Sequence, residues 1–116
     1  MAIEKIQVVG AGQMGSGIAQ VAAQAGLSVR LSDVNEKAIQ KGLETIETHL
    51  ARSVEKERIS QGEMDEALGR IESGLEYAPD ADLAIEAVPE NIGVKTEVLG
   101  ALDEQLKDNA ILASNT

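Results

Sequence analysis

The chain has 116 residues, and 10 Lys and Arg against 20 Asp and Glu give it a formal charge of −10. Its length suits one domain, and its core must be aliphatic because Tyr77 is the single aromatic residue. The lack of Cys excludes disulfides and thiolate metal sites, the single His49 argues against a histidine zinc site, and the acidity argues against charge-driven binding to nucleic acids or anionic membranes.

The first part of the chain predicts a strand, a helix and a second strand. Residues 3–9 are rich in β-branched residues and stop at Gly10, as a buried strand does at a tight turn. From Gln13 onward, apolar residues recur on one helical face, and Gly26 stands where a C-terminal cap belongs. Residues 29–33 alternate between apolar and polar, which predicts the second strand.

Two helices are predicted before the third strand. Apolar residues recur every three or four positions over 39–54, which indicates a long amphipathic helix that Asn35 can cap. Ser60 and Glu63 then form an S-x-x-E capping box before a second apolar run that ends with Ile71. Together the helices predict a helical hairpin inserted between strands two and three.

The remainder predicts further alternation of strands and helix. A short edge strand is expected around residues 75–77, a buried strand over 83–88, a helix over 94–106 and a fifth strand over 110–113. Strands that alternate with helices in this way are typical of an α/β fold, in which a parallel sheet carries helices on both faces.

The segment between the first strand and the first helix fits the G-x-G-x-x-G pattern of dinucleotide-binding folds, with the residues Gly10, Ala11, Gly12, Gln13, Met14 and Gly15. In this pattern the first glycine permits a sharp turn, the second lets the backbone approach a pyrophosphate, and the third lets helix and strand pack closely. The helix N-terminus adds a partial charge of about +0.5, so an acidic chain can still bind an anion locally. The alternative is that the glycines only form a tight turn.

Asp33 fits the acidic position of the same motif, because it stands 33 − 12 = 21 residues after the middle glycine, at the end of strand two. A carboxylate there accepts a hydrogen bond from a ribose 2′-hydroxyl and repels a 2′-phosphate, which favours NAD over NADP. It favours NAD over FAD less strongly. Asp33 could instead cap the following helix.

Three segments together resemble the N-terminal NAD-binding part of the 3-hydroxyacyl-CoA dehydrogenase family, which includes bacterial 3-hydroxybutyryl-CoA dehydrogenases. They are VVGAGQMGSGIAQVAAQAG with LSD after it, DLAIEAVPENIGVKTEVLGALD, and ILASNT. The resemblance covers essentially the whole chain. It implies a Rossmann-type sheet and oxidation of a (3S)-3-hydroxyacyl-CoA to the 3-oxoacyl-CoA, with hydride transfer to NAD.

The resemblance also implies roles for further residues. Ala87 and Val88 would lie along the cofactor at the open end of strand four. Glu90 and Lys95 resemble residues near the nicotinamide-side ribose and pyrophosphate, and Asn115 would lie close to the nicotinamide. For Glu90 and Lys95, a solvated helix start is the alternative.

The inserted hairpin acquires a role from the same resemblance, since a helical projection in this region helps the family bind coenzyme A. Lys56 stands where a lysine that contacts CoA is expected, and His49 where a polar contact is expected. A lysine there would neutralise a CoA phosphate. A solvated lysine and a surface histidine are equally compatible with the pattern.

The family's general base is a His in a GxHFFNP motif after SNT, and the chain stops at Thr116. Residues 1–116 are therefore expected to be one NAD-binding domain, truncated before the catalytic His strand and the C-terminal helical domain, with no catalytic residue of its own and little activity alone. Its unpaired sheet edge predicts self-association. No signal-peptide pattern or bilayer-length apolar run is present, so a cytoplasmic location is expected.

Three alternatives stay open for such a chain. It could be completed by another polypeptide or by the rest of its own gene, and an acyl-CoA would then be its partner as substrate. It could be a stand-alone dinucleotide-binding module with a sensing or scaffold role. It could also be an engineered fragment.

Overall fold

The computed structural model describes residues 3–87, residue 100 and residues 111–114. Within these ranges the elements follow in the order β1 (Lys5–Val9), α1 (Gln13–Gln24), β2 (Ser28–Ser32), α2 (Glu36–Glu55), α3 (Gln61–Gly69), β3 (Ile71–Ser73), β4 (Leu83–Glu86) and β5 (Ile111–Ser114). The helix predicted over 94–106 lies outside the described residues except for residue 100, which is helical. The predicted alternation of strands and helices is confirmed for the rest.

The described strands form one parallel sheet in the order β3-β2-β1-β4-β5. This is the order of the doubly wound dinucleotide-binding fold, in which the strand order reverses between β1 and β4 while all strands stay parallel. Such folds bind their ligands at the carboxyl ends of the strands beside that reversal. The Rossmann-type fold is therefore confirmed, and its open end lies at Gly10, Asp33 and Ala87.

Local sequence signals set the ends of the helices. The Asn35 side chain accepts a hydrogen bond from Ala38 N at 2.8 Å, and the capping box between Ser60 and Glu63 forms in both directions. Gly26 follows α1 with φ of 97°, a left-handed conformation that glycine adopts at low cost. These three sequence predictions and the helical hairpin are confirmed.

The third strand differs from its prediction. It is Ile71–Ser73 rather than residues 75–77, because α3 ends at Gly69 and the Arg70 carbonyl accepts from Val29 N at 2.9 Å, which brings the next residues alongside β2. Ile71, expected in the helix, pairs in register with Val29. The strand prediction at 75–77 was wrong, and so was the extension of the helix to Ile71.

Smaller shifts occur at other strands. β1 begins at Lys5 rather than residue 3, β2 ends at Ser32 so that Asp33 follows the strand, and β5 is displaced by one residue. The main core lies between the sheet and the three described helices, and its fully buried members include Val8, Val29, Leu31, Ala19, Ala23, Ile46 and Leu50. The alanine-rich face of α1 allows this helix to lie close to the sheet.

Candidate functional site

The glycine loop leaves β1 through a turn that only its glycines permit. Gly10 has φ of 110°, in the left-handed region that L side chains rarely adopt, and its N–H donates to the Ser32 carbonyl at 2.8 Å. A Cβ on Gly15 would overlap the Gly10 carbonyl oxygen and lie 2.7 Å from its carbon. Gly10 thus makes the turn, and Gly15 lets α1 begin directly against it.

The middle glycine faces open space. Gly12 is exposed, has an extended backbone at the N-cap of α1, and a Cβ placed on it would meet no atom within 4 Å. No side chain caps α1 at this position, and no acidic residue stands in its first turn. The first N–H groups of α1 therefore face an open surface with a partial positive charge and no competing carboxylate, which suits a pyrophosphate.

Ser16 holds the glycine loop in place from its buried side. Its buried hydroxyl lies 2.7 Å from the Gly12 carbonyl oxygen and 2.9 Å from that of Ala11, and it can donate to either. Both carbonyl groups are thereby turned into the protein. The N–H groups rather than the carbonyl oxygens are left to meet an anion.

Asp33 joins the acidic position to the glycine loop. Its Oδ2 accepts a hydrogen bond from Ala11 N at 2.7 Å, and its Oδ1 accepts from Val34 N at 2.6 Å. A carboxylate has about four acceptor positions, so this partly buried side chain retains acceptor capacity for a hydroxyl. The sequence spacing of glycine and acid therefore corresponds to one continuous site.

Tyr77 lies close enough to Asp33 for their charges to interact. Burial raises the pKa of the Tyr77 hydroxyl above its ordinary value, and the charge of Asp33 raises the pKa further. The loop carrying this ring is bound to β2, since Ser32 Oγ and Arg30 Nε both donate to the Glu76 carbonyl at 3.0 Å. The sequence prediction missed Tyr77, and its only signal was that it is the single aromatic residue.

Gln7 and Gly42 also support the site without an obvious sequence signal. The fully buried Gln7 accepts from Ala78 N at 2.6 Å and donates to Ser32 Oγ at 3.0 Å, which ties the Tyr77 loop to β1 and β2. A Cβ on Gly42 would lie 2.6 Å from the Ala11 carbonyl oxygen, so glycine at this position lets α2 pack directly on the glycine loop.

Of the other residues predicted to border or contact NAD, Ala87 is the one that the structure describes. Ala87 lies at the carboxyl end of β4, beside the glycine loop, and its N–H donates to the Val9 carbonyl at 2.8 Å. Val88, Glu90, Lys95 and Asn115 lie outside the described residues.

His49 and Lys56 are exposed, on α2 and at its C-cap respectively. Gly42 of α2 packs on the Ala11 carbonyl of the glycine loop, and at 1.5 Å per residue His49 and Lys56 lie about 10 Å and about 21 Å beyond Gly42 along the helix axis. The structure therefore does not bring these two side chains to the glycine loop.

The described residues contain no group of three or more His, Cys, Asp or Glu side chains that could hold a metal ion. Among the helices in that part of the chain, none is long and apolar enough to cross a membrane.

Comparison with known proteins agrees with this geometry. The sequence model described as "3-hydroxyacyl-CoA dehydrogenase, NAD binding domain" matches residues 5–116. The chain belongs to this family. Its cofactor is accordingly NAD, and the resemblance deduced from the three sequence segments is confirmed.

The chain is 48% identical to a probable 3-hydroxybutyryl-CoA dehydrogenase of Bacillus subtilis, covering 100% of this chain and 41% of that protein. It is 44% identical to a fatty acid oxidation complex subunit alpha of Pseudomonas putida, covering 98% of this chain and 16% of that one. It therefore spans about two fifths or less of the length of these two relatives.

Solved structures give the same result. The (S)-3-hydroxybutyryl-CoA dehydrogenase of Ralstonia eutropha superimposes with a TM-score of 0.92 at 38% identity, over 99% of this chain and 41% of that one. The 3-hydroxybutyryl-CoA dehydrogenase of Escherichia coli superimposes with a TM-score of 0.94 at 30% identity, over 100% and 25%.

Proposed function

We propose that residues 1–116 form the NAD-binding domain of an enzyme that oxidises (3S)-3-hydroxyacyl-CoA to 3-oxoacyl-CoA. The observation that carries the proposal is the 2.7 Å hydrogen bond from Ala11 N to the Asp33 carboxylate, which joins the acidic residue to the glycine loop. Membership of the 3-hydroxyacyl-CoA dehydrogenase family supports the substrate class.

Different described residues bind different parts of NAD. The N–H groups at the start of α1 hold the pyrophosphate, and the open face of Gly12 lets it approach. Asp33 accepts from the adenosine ribose hydroxyls and disfavours a 2′-phosphate by charge repulsion. NAD, when bound, supplies the hydride acceptor. Ala87 borders the cofactor at the end of β4.

The residues that contact the reacting end are a second part of the proposal. Glu90 and Lys95 contact the nicotinamide-side ribose and pyrophosphate, Val88 borders the cofactor, and Asn115 lies near the nicotinamide. This assignment rests on the family motif. Substitution of Asn115 by Ala is expected to weaken NADH binding less than loss of Asp33, because a hydrogen bond between neutral groups contributes less than one to a charged group.

Contact with coenzyme A is a third part. We propose that Lys56 and His49 bind CoA in the complete enzyme, with Lys56 pairing with a phosphate. Their exposure leaves both side chains available. The distance of Lys56 from the NAD site is compatible with a long ligand that extends away from the nicotinamide.

The experiment is a calorimetric titration of the purified chain with NADH and with NADPH, repeated for Asp33→Asn. We expect NADH to bind more tightly than NADPH to the unchanged chain. Asp33→Asn should weaken NADH binding about 10- to 100-fold, because a hydrogen bond to a charged group contributes roughly 1.5–3 kcal/mol. Asp33→Asn should also reduce the ratio of NADH affinity to NADPH affinity, since the carboxylate no longer repels the 2′-phosphate of NADPH.

Asp65→Asn is the matched control, because it removes the same charge from an exposed position on α3. It should leave both affinities unchanged. A folded chain that binds neither nucleotide would contradict the proposal. Tight NADH binding without activity, even when the C-terminal part of a relative is supplied, would instead favour the sensing or scaffold alternative.

Self-association and location complete the proposal. We propose that the chain associates through β5, which ends the described sheet, and that it functions in the cytoplasm. Sedimentation velocity at micromolar concentration is expected to show a species larger than the monomer. A single monomeric boundary would contradict this part alone.

A further inference from the structure

Tyr77 is the single aromatic residue of the chain, and it lies apart from the hydrophobic core. The core cluster of the described residues contains no aromatic ring and packs between the sheet and the helices. Tyr77 is instead half-buried in residues 74–82, which join β3 to β4 and are called the Tyr77 segment. Packing of the core therefore does not explain an aromatic ring at this position.

The Tyr77 segment crosses the face of the sheet opposite α1. Side chains alternate between the two faces along a strand, and Val8 and Leu31 belong to the core on the side of α1. Their neighbours Gln7 and Ser32 therefore point to the other face. Both side chains form hydrogen bonds there to the backbone of the Tyr77 segment.

These hydrogen bonds fix the two neighbours of Tyr77. The Glu76 carbonyl accepts from Ser32 Oγ at 3.0 Å. Ala78 N donates to Oε1 of the fully buried Gln7 at 2.6 Å. The backbone at Tyr77 is thus ordered before a ligand binds, so that little further ordering of this segment opposes binding.

Asp33 lies between the glycine loop and the Tyr77 segment. It directly follows Ser32, which binds the Tyr77 segment, and its own Oδ2 accepts from Ala11 N of the glycine loop at 2.7 Å. Burial raises the pKa of the Tyr77 hydroxyl and the charge of Asp33 raises it further, which is consistent with this proximity. The order of features at this end of the sheet is therefore the start of α1, Asp33 and Tyr77.

The adenosine half of NAD presents its groups in a matching order, because the ribose lies between the pyrophosphate and the adenine. With the pyrophosphate at the start of α1 and the ribose at Asp33, adenine extends from Asp33 away from the glycine loop. Tyr77 lies on that side of Asp33. An aromatic ring there meets the one part of adenosine to which no residue has yet been assigned.

We propose that the Tyr77 ring packs against the adenine of NAD and is a further cofactor-binding residue of this chain. The inference rests on the proposed function, from which it takes the positions of the pyrophosphate and the ribose. An aromatic side chain stabilises a base by stacking, since every base has a π-face. Ligand sites typically combine such apolar contacts with a few polar groups that fix orientation, and Asp33 is the polar group here.

The test titrates the purified chain with AMP and with ribose 5-phosphate. Both ligands carry the ribose and a phosphate, and only AMP carries the base. Tyr77→Ala should weaken AMP binding about 5- to 150-fold, as expected for loss of one contact between a base and an aromatic ring. It should leave the affinity for ribose 5-phosphate unchanged, because Asp33 and the glycine loop are intact.

Two further variants separate the ring from other effects. Tyr77→Phe keeps the aromatic face and removes the hydroxyl, so AMP should bind nearly as tightly as to the unchanged chain. Leu75→Ala is the matched control, because it truncates a large side chain of the same segment that is 49% exposed. It should leave the affinities for AMP and ribose 5-phosphate unchanged.

A proton NMR measurement on the unchanged chain needs no substitution and decides the question if Tyr77→Ala does not fold. The chain has no Phe or Trp, so the only other aromatic ring signals are those of the His49 imidazole. In the AMP complex we expect a nuclear Overhauser effect between the Tyr77 ring protons and the adenine H2 or H8. A purely structural role of Tyr77 would not produce this contact.

The results that would overturn this inference differ from those that would contradict the proposed function. Full AMP affinity in Tyr77→Ala, or no Overhauser effect while AMP binds, would remove Tyr77 from an otherwise intact NAD site. An equal loss for AMP and ribose 5-phosphate would make Tyr77 a support for Asp33 instead of an adenine contact. Equal losses in Tyr77→Phe and Tyr77→Ala would assign the contact to the hydroxyl. A folded chain that binds neither AMP nor NADH would contradict the proposed function and this inference together.

Discussion

Gly15 offers a direct test of how the turn and α1 are packed together. In the variant Gly15→Ala, the added methyl overlaps the Gly10 carbonyl oxygen and lies 2.7 Å from its carbon, and both atoms belong to the backbone. Relief therefore requires the start of α1 to move. Overpacking a tight site costs roughly 1–3 kcal/mol, and we expect the upper end because no side chain can rotate away.

Two other glycines in the same segment separate stability from binding. Gly12→Ala adds a methyl with no atom within 4 Å at an extended position, so the fold should tolerate it. The methyl occupies the surface that a pyrophosphate approaches, and the affinity for NADH should fall about 10- to 100-fold. Gly17→Ala also meets no atom, and should stabilise α1 by about 1 kcal/mol.

The assay pairs thermal unfolding with calorimetric titration of NADH. At about 4 °C per kcal/mol for a domain of this size, Gly15→Ala should lower the unfolding midpoint by about 12 °C. Gly17→Ala should raise it by about 4 °C, and Gly12→Ala should leave it nearly unchanged. Binding is measured well below each midpoint, so that it reports the folded state.

The three variants together distinguish the role of each glycine. A wild-type midpoint for Gly15→Ala would mean that α1 does not begin against the Gly10 carbonyl. Full NADH affinity in Gly12→Ala would mean that the pyrophosphate does not approach this face of the loop. Either result would refute the division of roles between Gly12 and Gly15.

Three further results are expected. Ser60→Ala should lower the free energy of unfolding in urea by about 1 kcal/mol through loss of the capping box, whereas an unchanged value would contradict its role. Gln7→Leu should cost roughly 1–3 kcal/mol in the same assay because Ala78 N–H loses its buried acceptor. Tyr77 should ionise above 10.0 in the folded chain when followed by ultraviolet absorbance, and Asp33→Asn should lower that midpoint. Folding raises the pKa of Tyr77, so the protonated hydroxyl contributes to the free energy of unfolding in full below pH 10.0. This contribution is lost as the pH rises through the pKa of the folded state. Tyr77→Phe should reduce the loss of stability over that pH range.

Much of the fold could be predicted from the sequence because its signals are local. The Asn35 cap, the Ser60 capping box and the Gly26 helix end each depend on residues within a few positions of one another. The glycine loop is also local, since turn, backbone approach and helix packing fall within six residues. Such features need no knowledge of distant contacts.

The position of the third strand was predicted wrongly because it depends on a pairing strand that is distant in the sequence. Ile71 continues the apolar spacing of α3 and was therefore predicted as helical. It is part of β3 because it pairs with Val29 in β2. Leu75 and Tyr77, which suggested the strand, lie instead in a loop whose Glu76 carbonyl accepts hydrogen bonds from the side chains of Arg30 and Ser32. The packing role of Gly42 could not be predicted from the sequence either, because glycine is required there by the Ala11 backbone, 31 residues earlier.

Asp33 shows how one side chain couples cofactor preference to loop shape. The motif assigns it to the ribose, whereas the structure also uses it to accept from Ala11 N and Val34 N. An asparagine has one acceptor oxygen and cannot replace both carboxylate oxygens. Loss of the loop contact should weaken NADH and NADPH alike, while loss of the charge weakens the hydrogen bond to NADH, removes the repulsion of the NADPH 2′-phosphate and so changes their ratio. A substitution that shifts preference toward NADPH should therefore also lower affinity overall, unless a second change restores an acceptor for Ala11 N.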